Sequence, residues 1–283
     1  MKTLAFIHRN DTHFAVGDFS PVLSVFSHYE LGNTISPFLL LDHIGPGRLQ
    51  PLSTRKGVSD HPHRGFETVT IVYKGEIAHK DSKGGGGIVR AGDVQWMTAA
   101  AGIVHQEFFS EEFRTQGGAF EMIQLWVNLP AKDKLSTPGY QSLTSDQIPT
   151  VELPNGIGSV RVIAGQFNGI SGPAKTHTRI NIFDVHMPAG KTAVFNAEAG
   201  DTALVYLVSG QLQFDTEQME AAGLAVMSSH HTDFSVDTIA DSHFLVLTGE
   251  PINEPIFGRG PFIMNTYEEI LQAFEDSKNG KLG

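Results

Sequence analysis

Cysteine is absent from all 283 residues. That excludes disulfides, thiolate catalysis and cysteine-ligated zinc or iron–sulfur centres together, so any bound metal must be held by nitrogen and oxygen. Positive charge is scarce as well: 20 Lys and Arg against 31 Asp and Glu leave a formal net charge of −11. Such a balance is the reverse of a phosphate-tracking surface, and direct nucleic-acid binding is not expected. No apolar stretch approaches the ~20 residues of a membrane helix. Near the start the apolar run Leu-Ala-Phe-Ile covers only residues 4–7, shorter than a secretory signal needs. The expectation is a cytoplasmic protein with no membrane association. What remains is ample: 30 Gly, 14 Pro, 19 Phe and 13 His. A chain of this length corresponds to roughly two domains of about 150 residues and can bury its core unaided.

Short apolar runs broken by Gly, Pro, Asn and Asp recur along the chain, at 37–41, 69–73, 123–127, 160–163, 180–185, 203–208 and 244–247. Runs of that size, rich in Val, Ile, Phe and Tyr, predict buried strands, and their close spacing predicts sandwiches or barrels. One segment reads as a helix. Thr266-Tyr-Glu-Glu269 is a capping box, followed by an apolar stripe at Tyr267, Ile270, Leu271 and Phe274, with Asn279-Gly280 as a stop. Pro130-Ala-Lys-Asp-Lys134 and Ser136-Thr-Pro-Gly139 interrupt the pattern, as a linker would. An internal repeat supports a split there. Ile71-Val-Tyr-Lys-Gly75-Glu-Ile77 resembles Tyr206-Leu-Val-Ser-Gly210-Gln-Leu212 at an offset of 135 residues, as expected of two copies of one β domain. The expected division is 1–132 and 133–283.

Gly84-Gly-Gly-Gly87 lacks the Lys-Ser/Thr pair of a phosphate loop and precedes a strand-like Ile88-Val-Arg, so it reads as a hairpin turn. His230-His231 would point to opposite faces of a strand. His79, His177, His186 and His243 stand alone in the sequence.

The informative segments are Asp60-His61-Pro-His63-Arg-Gly-Phe-Glu67 and Ala101-Gly102-Ile-Val-His105-Gln-Glu107. On an extended strand His61 and His63 project to one face, and so do His105 and Glu107. A single such pair fits a solvated strand. Two pairs separated by hairpin-like sequence point to one metal site. Glu67 shares the parity of His63, but four residues of strand span about 13 Å, so a turn would have to bring it back.

An HxH followed by three residues and a Glu, then a second Gly-rich segment giving another His, resembles the two-part metal motif of cupins. His61-Pro-His-Arg-Gly-Phe-Glu-Thr68, Gly92-Asp-Val-Gln-Trp-Met-Thr-Ala99 and Gly102-Ile-Val-His105 resemble the pirin family more closely. Pro37-Phe-Leu-Leu-Leu-Asp42 and Gly260-Pro-Phe-Ile-Met-Asn-Thr266 do too. The resemblance implies an all-β protein of two tandem cupin (jelly-roll) β-barrels with a short C-terminal helix. It also implies one metal, Fe(II), in the N-terminal barrel, with His61, His63, His105 and Glu107 as ligands and Glu67 behind them. Other divalent first-row metals suit the same donors. Four protein ligands leave two octahedral positions, one for an anionic substrate oxygen and one for dioxygen. At the offset of 135, Asn196 and Glu198 stand opposite His61 and His63, and Ile239-Ala-Asp-Ser-His243 is no substitute for the second motif. The C-terminal barrel is therefore expected to hold no metal in this geometry and to be structural or a partner surface.

Two functions follow from the resemblance. The first is a quercetin (flavonol) 2,3-dioxygenase in which Glu107 takes the proton of the 3-hydroxyl, and the ring opens with release of carbon monoxide. Phe66, Trp96 and Met97 are then expected to shape an apolar pocket. The second is a non-enzymatic, metal-dependent regulator that binds a protein partner, a transcriptional co-regulator or a regulator of a metabolic enzyme.

Overall fold

A computed structural model describes residues 1–283. Six of the seven apolar runs lie wholly in strands, the first enters its strand at Phe38, and every strand pairing is antiparallel. The chain divides into two units, and they interleave. One comprises Asp11–Gly32, Phe38–Ser145 and Ile252–Gly283; the other comprises Met1–Asn10, Asn33–Pro37 and Asp146–Pro251. Where the sequence suggests a single cut at 132/133, the central crossing falls after Ser145, and each terminus belongs with the opposite half. Strand pairing explains the N-terminal exchange: Leu4–His8 pairs with Leu224–Met227.

The first unit is a seven-stranded sheet facing a four-stranded one. The larger runs in the order Gly139–Leu143, Val94–Thr98, Phe66–Lys74, Gly118–Asn128, Phe38–Leu49, Phe19–Ser27 and His13–Val16. The smaller runs Gly57–His63, Ile103–Phe109, Glu76–Asp81 and Gly86–Arg90. Its apolar core gathers Phe19, Ile44, Val72, Ile77, Phe109 and Phe120, with the Phe109 ring edge-on to Phe19 and Phe120. The same strand carries His105 and Glu107 before it reaches that cluster.

The second unit repeats the design with seven and four strands. The strands at the repeat offset, Thr202–Ser209 and Gln211–Phe214, match Phe66–Lys74 and Glu76–Asp81 in order and pairing. Its core alternates as a sheet must, with Phe183, Val185 and Met187 inward beside Phe244 and Val246. The strand facing Thr192–Asn196 is Asp233–Thr238, which carries no histidine.

The glycine run closes a hairpin: the turn runs from Ser82 to Gly85, Gly86 and Gly87 already pair in the next strand, and the Asp81 carboxylate accepts from the Lys83 and Gly85 amides at 2.8 Å each. The terminal helix spans Tyr267–Lys278 with the capping box intact on Thr266 and Glu269. It lies on the first unit. Of the expected stripe only Ile270 is buried, joined by Ala273. Tyr267, Leu271 and Phe274 are exposed, because a helix packed on the small hairpin of Phe257–Arg259 and Phe262–Met264 needs a narrower apolar face than a fully sunken one.

Glu121, in Gly118–Asn128, accepts from His43 Nε2 at 3.2 Å and Lys74 Nζ at 2.7 Å. The His43 bond, ahead of Lys74 and against burial, holds its carboxyl down from 4.5 to about 2. A depressed carboxyl stabilises the fold above its unfolded pKa, and that contribution disappears as pH falls from about 4.5 toward 2. Glu121→Gln is therefore expected to lower stability at pH 7 by on the order of 1 kcal/mol and to make almost no difference at pH 2. Urea unfolding at the two pH values measures this. An equal loss at both would show that the charge is not the cause.

Candidate metal centre

Two neighbouring strands carry the polar cluster. In the pairing of Gly57–His63 with Ile103–Phe109, His61 stands directly across from His105. Alternation puts His61 and His63 on one face, and the pairing adds His105 to it. The three rings converge, with centroids 4.1 Å apart for His61–His105, 4.8 Å for His61–His63 and 4.9 Å for His63–His105. Their ligand nitrogens all lie within 4.8 Å of one another.

Hydrogen bonds aim the rings. His61 Nδ1 lies 2.9 Å from the Ser59 carbonyl oxygen, and His63 Nδ1 lies 3.3 Å from that of Pro261. A carbonyl only accepts, so each Nδ1 carries the proton and donates it, leaving the Nε2 lone pair for a metal. His105 Nε2 is buried with no partner in the protein. Burial first, then repulsion from the neighbouring imidazoles, holds His63 down to about 3 and His105 well below the ordinary range. Burial lowers His61 too, against the Ser59 carbonyl. All three are neutral at pH 7, the form that ligates. Three inward lone pairs in a largely buried cradle fit a divalent first-row ion, and a buried, unpaired imidazole nitrogen is costly without one.

Glu107 is buried two residues beyond His105, past a bulge, and its Oε1 has no partner in the protein. It is not part of the close-set group of nitrogens. Burial pushes its carboxyl up to about 7, and the Thr70 hydroxyl in hydrogen-bond contact partly opposes this.

Glu67 faces elsewhere. It accepts from Trp96 Nε1 at 3.0 Å and Thr98 Oγ1 at 2.7 Å, wholly buried. Its neighbours of opposite parity face the histidines: Thr70 meets Glu107, and the Phe66 ring stands edge-on to His63 at 5.1 Å. Gly65, at φ +88°, ends the first ligand strand and resets the alternation, so parity with His63 carries no meaning beyond it. Trp96, tied to Glu67, turns away with it; of the expected pocket residues Phe66 lies beside the rings, and Met97 packs with Ala99, Ile103 and Tyr140. The tryptophan beside the site is Trp126, half-buried and 5.5 Å from His63 and 4.2 Å from Phe66 between centroids. Strand pairing places it there: Trp126 stands across from Thr68, which shares the parity of Phe66 and Thr70, a relation that no local sequence pattern carries.

The final segment completes the cradle. Besides the Pro261 carbonyl on His63, Ile263 donates its amide to the Arg64 carbonyl at 3.0 Å. Arg64 in turn donates to Ala101 O at 2.7 Å and to Asp276 of the terminal helix at 2.9 Å.

A second trio, Asp184, His186 and His243, lies in the other unit. His186 and His243 are cross-strand neighbours with stacked rings 4.0 Å apart, a juxtaposition the sequence does not reveal. Asp184 already meets His243 Nε2 at 2.5 Å and Arg161 at 2.9 Å, which balances its charge.

Residues 20–127 match the family model described as Pirin, and 182–283 match that of the pirin C-terminal cupin domain. A protein of Pseudomonas aeruginosa, provisionally called a quercetin 2,3-dioxygenase, is 48% identical over 281 residues, 99% of this chain and 98% of its own. Human pirin is 37% identical over 264 residues, 90% of this chain and 85% of its own. Among solved structures, a quercetin 2,3-dioxygenase of Acinetobacter baumannii superposes with a TM-score of 0.97 at 45% identity, covering 100% of this chain and 99% of that one. Both units are thus cupin barrels. No helix is long and apolar enough to cross a membrane.

Proposed function

The chain belongs to the pirin family, and on that premise we propose that it is a flavonol 2,3-dioxygenase using one Fe(II) held by His61, His63, His105 and Glu107. The observation that carries the reading is the convergence of three neutral imidazoles, each free to present Nε2, beside a buried carboxylate oxygen with no other partner. A divalent first-row ion bound there supplies Lewis acidity and one-electron chemistry toward dioxygen.

The protein does the rest. Each of the three histidines is oriented through its Nδ1, two by backbone carbonyls and one by a neighbouring ring, so the donor geometry is set before any ion arrives. Glu107, a buried carboxylate whose Oε1 meets no protein donor, is suited to accept the flavonol 3-hydroxyl proton as general base. Trp126, half-buried beside His63 and backed by the wholly buried Phe66, offers an apolar ring for a planar aromatic substrate.

Anaerobic loading with Fe(II), then addition of quercetin and oxygen, tests this. Oxygen uptake and loss of flavonol absorbance are expected in step, with carbon monoxide released. Absence of turnover by fully iron-loaded protein with several flavonols would overturn the reading in favour of a metal-dependent regulator that binds a protein partner.

A further inference from the structure

We infer that His79 is a positioning residue of the metal centre, acting through His105: it accepts the His105 Nδ1 proton and thereby keeps the Nε2 lone pair directed at the metal. This rests on the metal-binding reading above.

His79 lies on Glu76–Asp81, the strand next to the one that carries His105 and Glu107, and it pairs directly with Glu107. Its Nε2 is 3.0 Å from His105 Nδ1, and both rings are buried. The other two ligand histidines donate Nδ1 to carbonyls, which fix the tautomer because a carbonyl cannot donate. His105 has no carbonyl in that role. Its only protein partner at Nδ1 is another imidazole, which can accept or donate, so the tautomer of His105 depends on that of His79.

For His105 to ligate through Nε2, its proton must sit on Nδ1. His79 must then present an unprotonated Nε2 and carry its own proton on Nδ1. The surroundings favour that state. Asp81, two residues along on the same strand face, places a carboxylate near the ring, and its Oδ2 and His79 Nδ1 are both buried without protein partners. A donor N–H toward the carboxylate side is stabilised by its field, and a lone pair there is not. Tyr140 fixes the plane of the ring, stacking on it with centroids 5.1 Å apart and planes within 1° of parallel. Ring position is thus set by packing and ring tautomer by charge, and both are transmitted to His105 through one hydrogen bond.

Two substitutions separate this role from mere packing. His79→Phe keeps the aromatic stack on Tyr140 and removes the acceptor. His79→Gln loses the stack but can place an amide oxygen near the Nε2 position, restoring the acceptor. Ni(II) and Co(II) titrations of the metal-stripped full-length protein, with circular dichroism to verify folding, provide the readout independently of turnover. His79→Phe is expected to weaken binding about 10- to 100-fold, the usual cost of losing such a partner, and to alter the visible Co(II) spectrum. His79→Gln is expected to recover most of the affinity and the wild-type spectrum. Wild-type affinity and spectrum in His79→Phe would overturn the inference, as would equal losses in both folded variants, because shape and not the acceptor would then be at work. Failure of the wild type itself to take up either ion would defeat the metal reading, and the inference with it.

Discussion

Glu107→Gln is expected to slow flavonol turnover per bound iron by on the order of 10² to 10⁴, the range for loss of a general base. Gln matches Glu in shape and keeps an oxygen that the Thr70 hydroxyl can still meet. What it cannot do is accept a proton. The native carboxylate is placed for that task, buried beside the histidines with its Oε1 unmet by any protein donor. Iron content must be measured with turnover, since the same side chain is assigned as a ligand. Unchanged turnover per iron would remove Glu107 from the proton-transfer role.

The largest loss of stability is expected from Gly65→Ala. Gly65 sits at φ +88°, and a Cβ there would stand well inside van der Waals distance of the Ile263 carbonyl oxygen, and 2.8 Å from Met264 Sδ. The first atom is backbone and cannot rotate aside. Its own polar groups are also committed: the amide donates to Ala100 O at 2.9 Å, and the carbonyl accepts from Lys134 Nζ at 2.7 Å. Left-handed strain and overpacking each cost on the order of 1 to 3 kcal/mol. Their sum predicts a loss of about 3 kcal/mol or more, read by urea unfolding. Metal affinity is expected to fall as well, because the strand Phe262–Met264 that would be pushed away follows Pro261, the acceptor of His63. A change within about 0.5 kcal/mol would contradict the argument.

Much of this was legible in the residues. Apolar runs marked the strands because burial on a sheet demands them, and the repeat marked two barrels because each copy keeps its strand–turn–strand junction at Gly75 and Gly210. The His61/His63 pair was legible because alternation is a property of any strand, whereas Glu107 lies past a bulge from His105 and outside the close-set group. The rest depends on pairing between strands, which no local pattern encodes. His79 stood alone in the sequence and meets His105 only across a ladder. Glu67 kept a parity that Gly65 breaks. Trp96 and Trp126 are equally apolar, and only the sheet decides which one meets His63. The terminal helix announced itself by its capping box, yet nothing in its sequence told that it would pack on the unit formed mostly by the first half of the chain.

Counting metal tests the central claim most directly. Protein loaded anaerobically with Fe(II) and freed of excess ion is expected to carry about one equivalent per chain, as a single closed set of ligands allows. The His61→Ala/His105→Ala double variant, folded by circular dichroism, is expected to carry almost none, since only one of the three converging imidazoles remains. Two equivalents in the wild type, or one retained by the double variant, would contradict a single metal at these histidines.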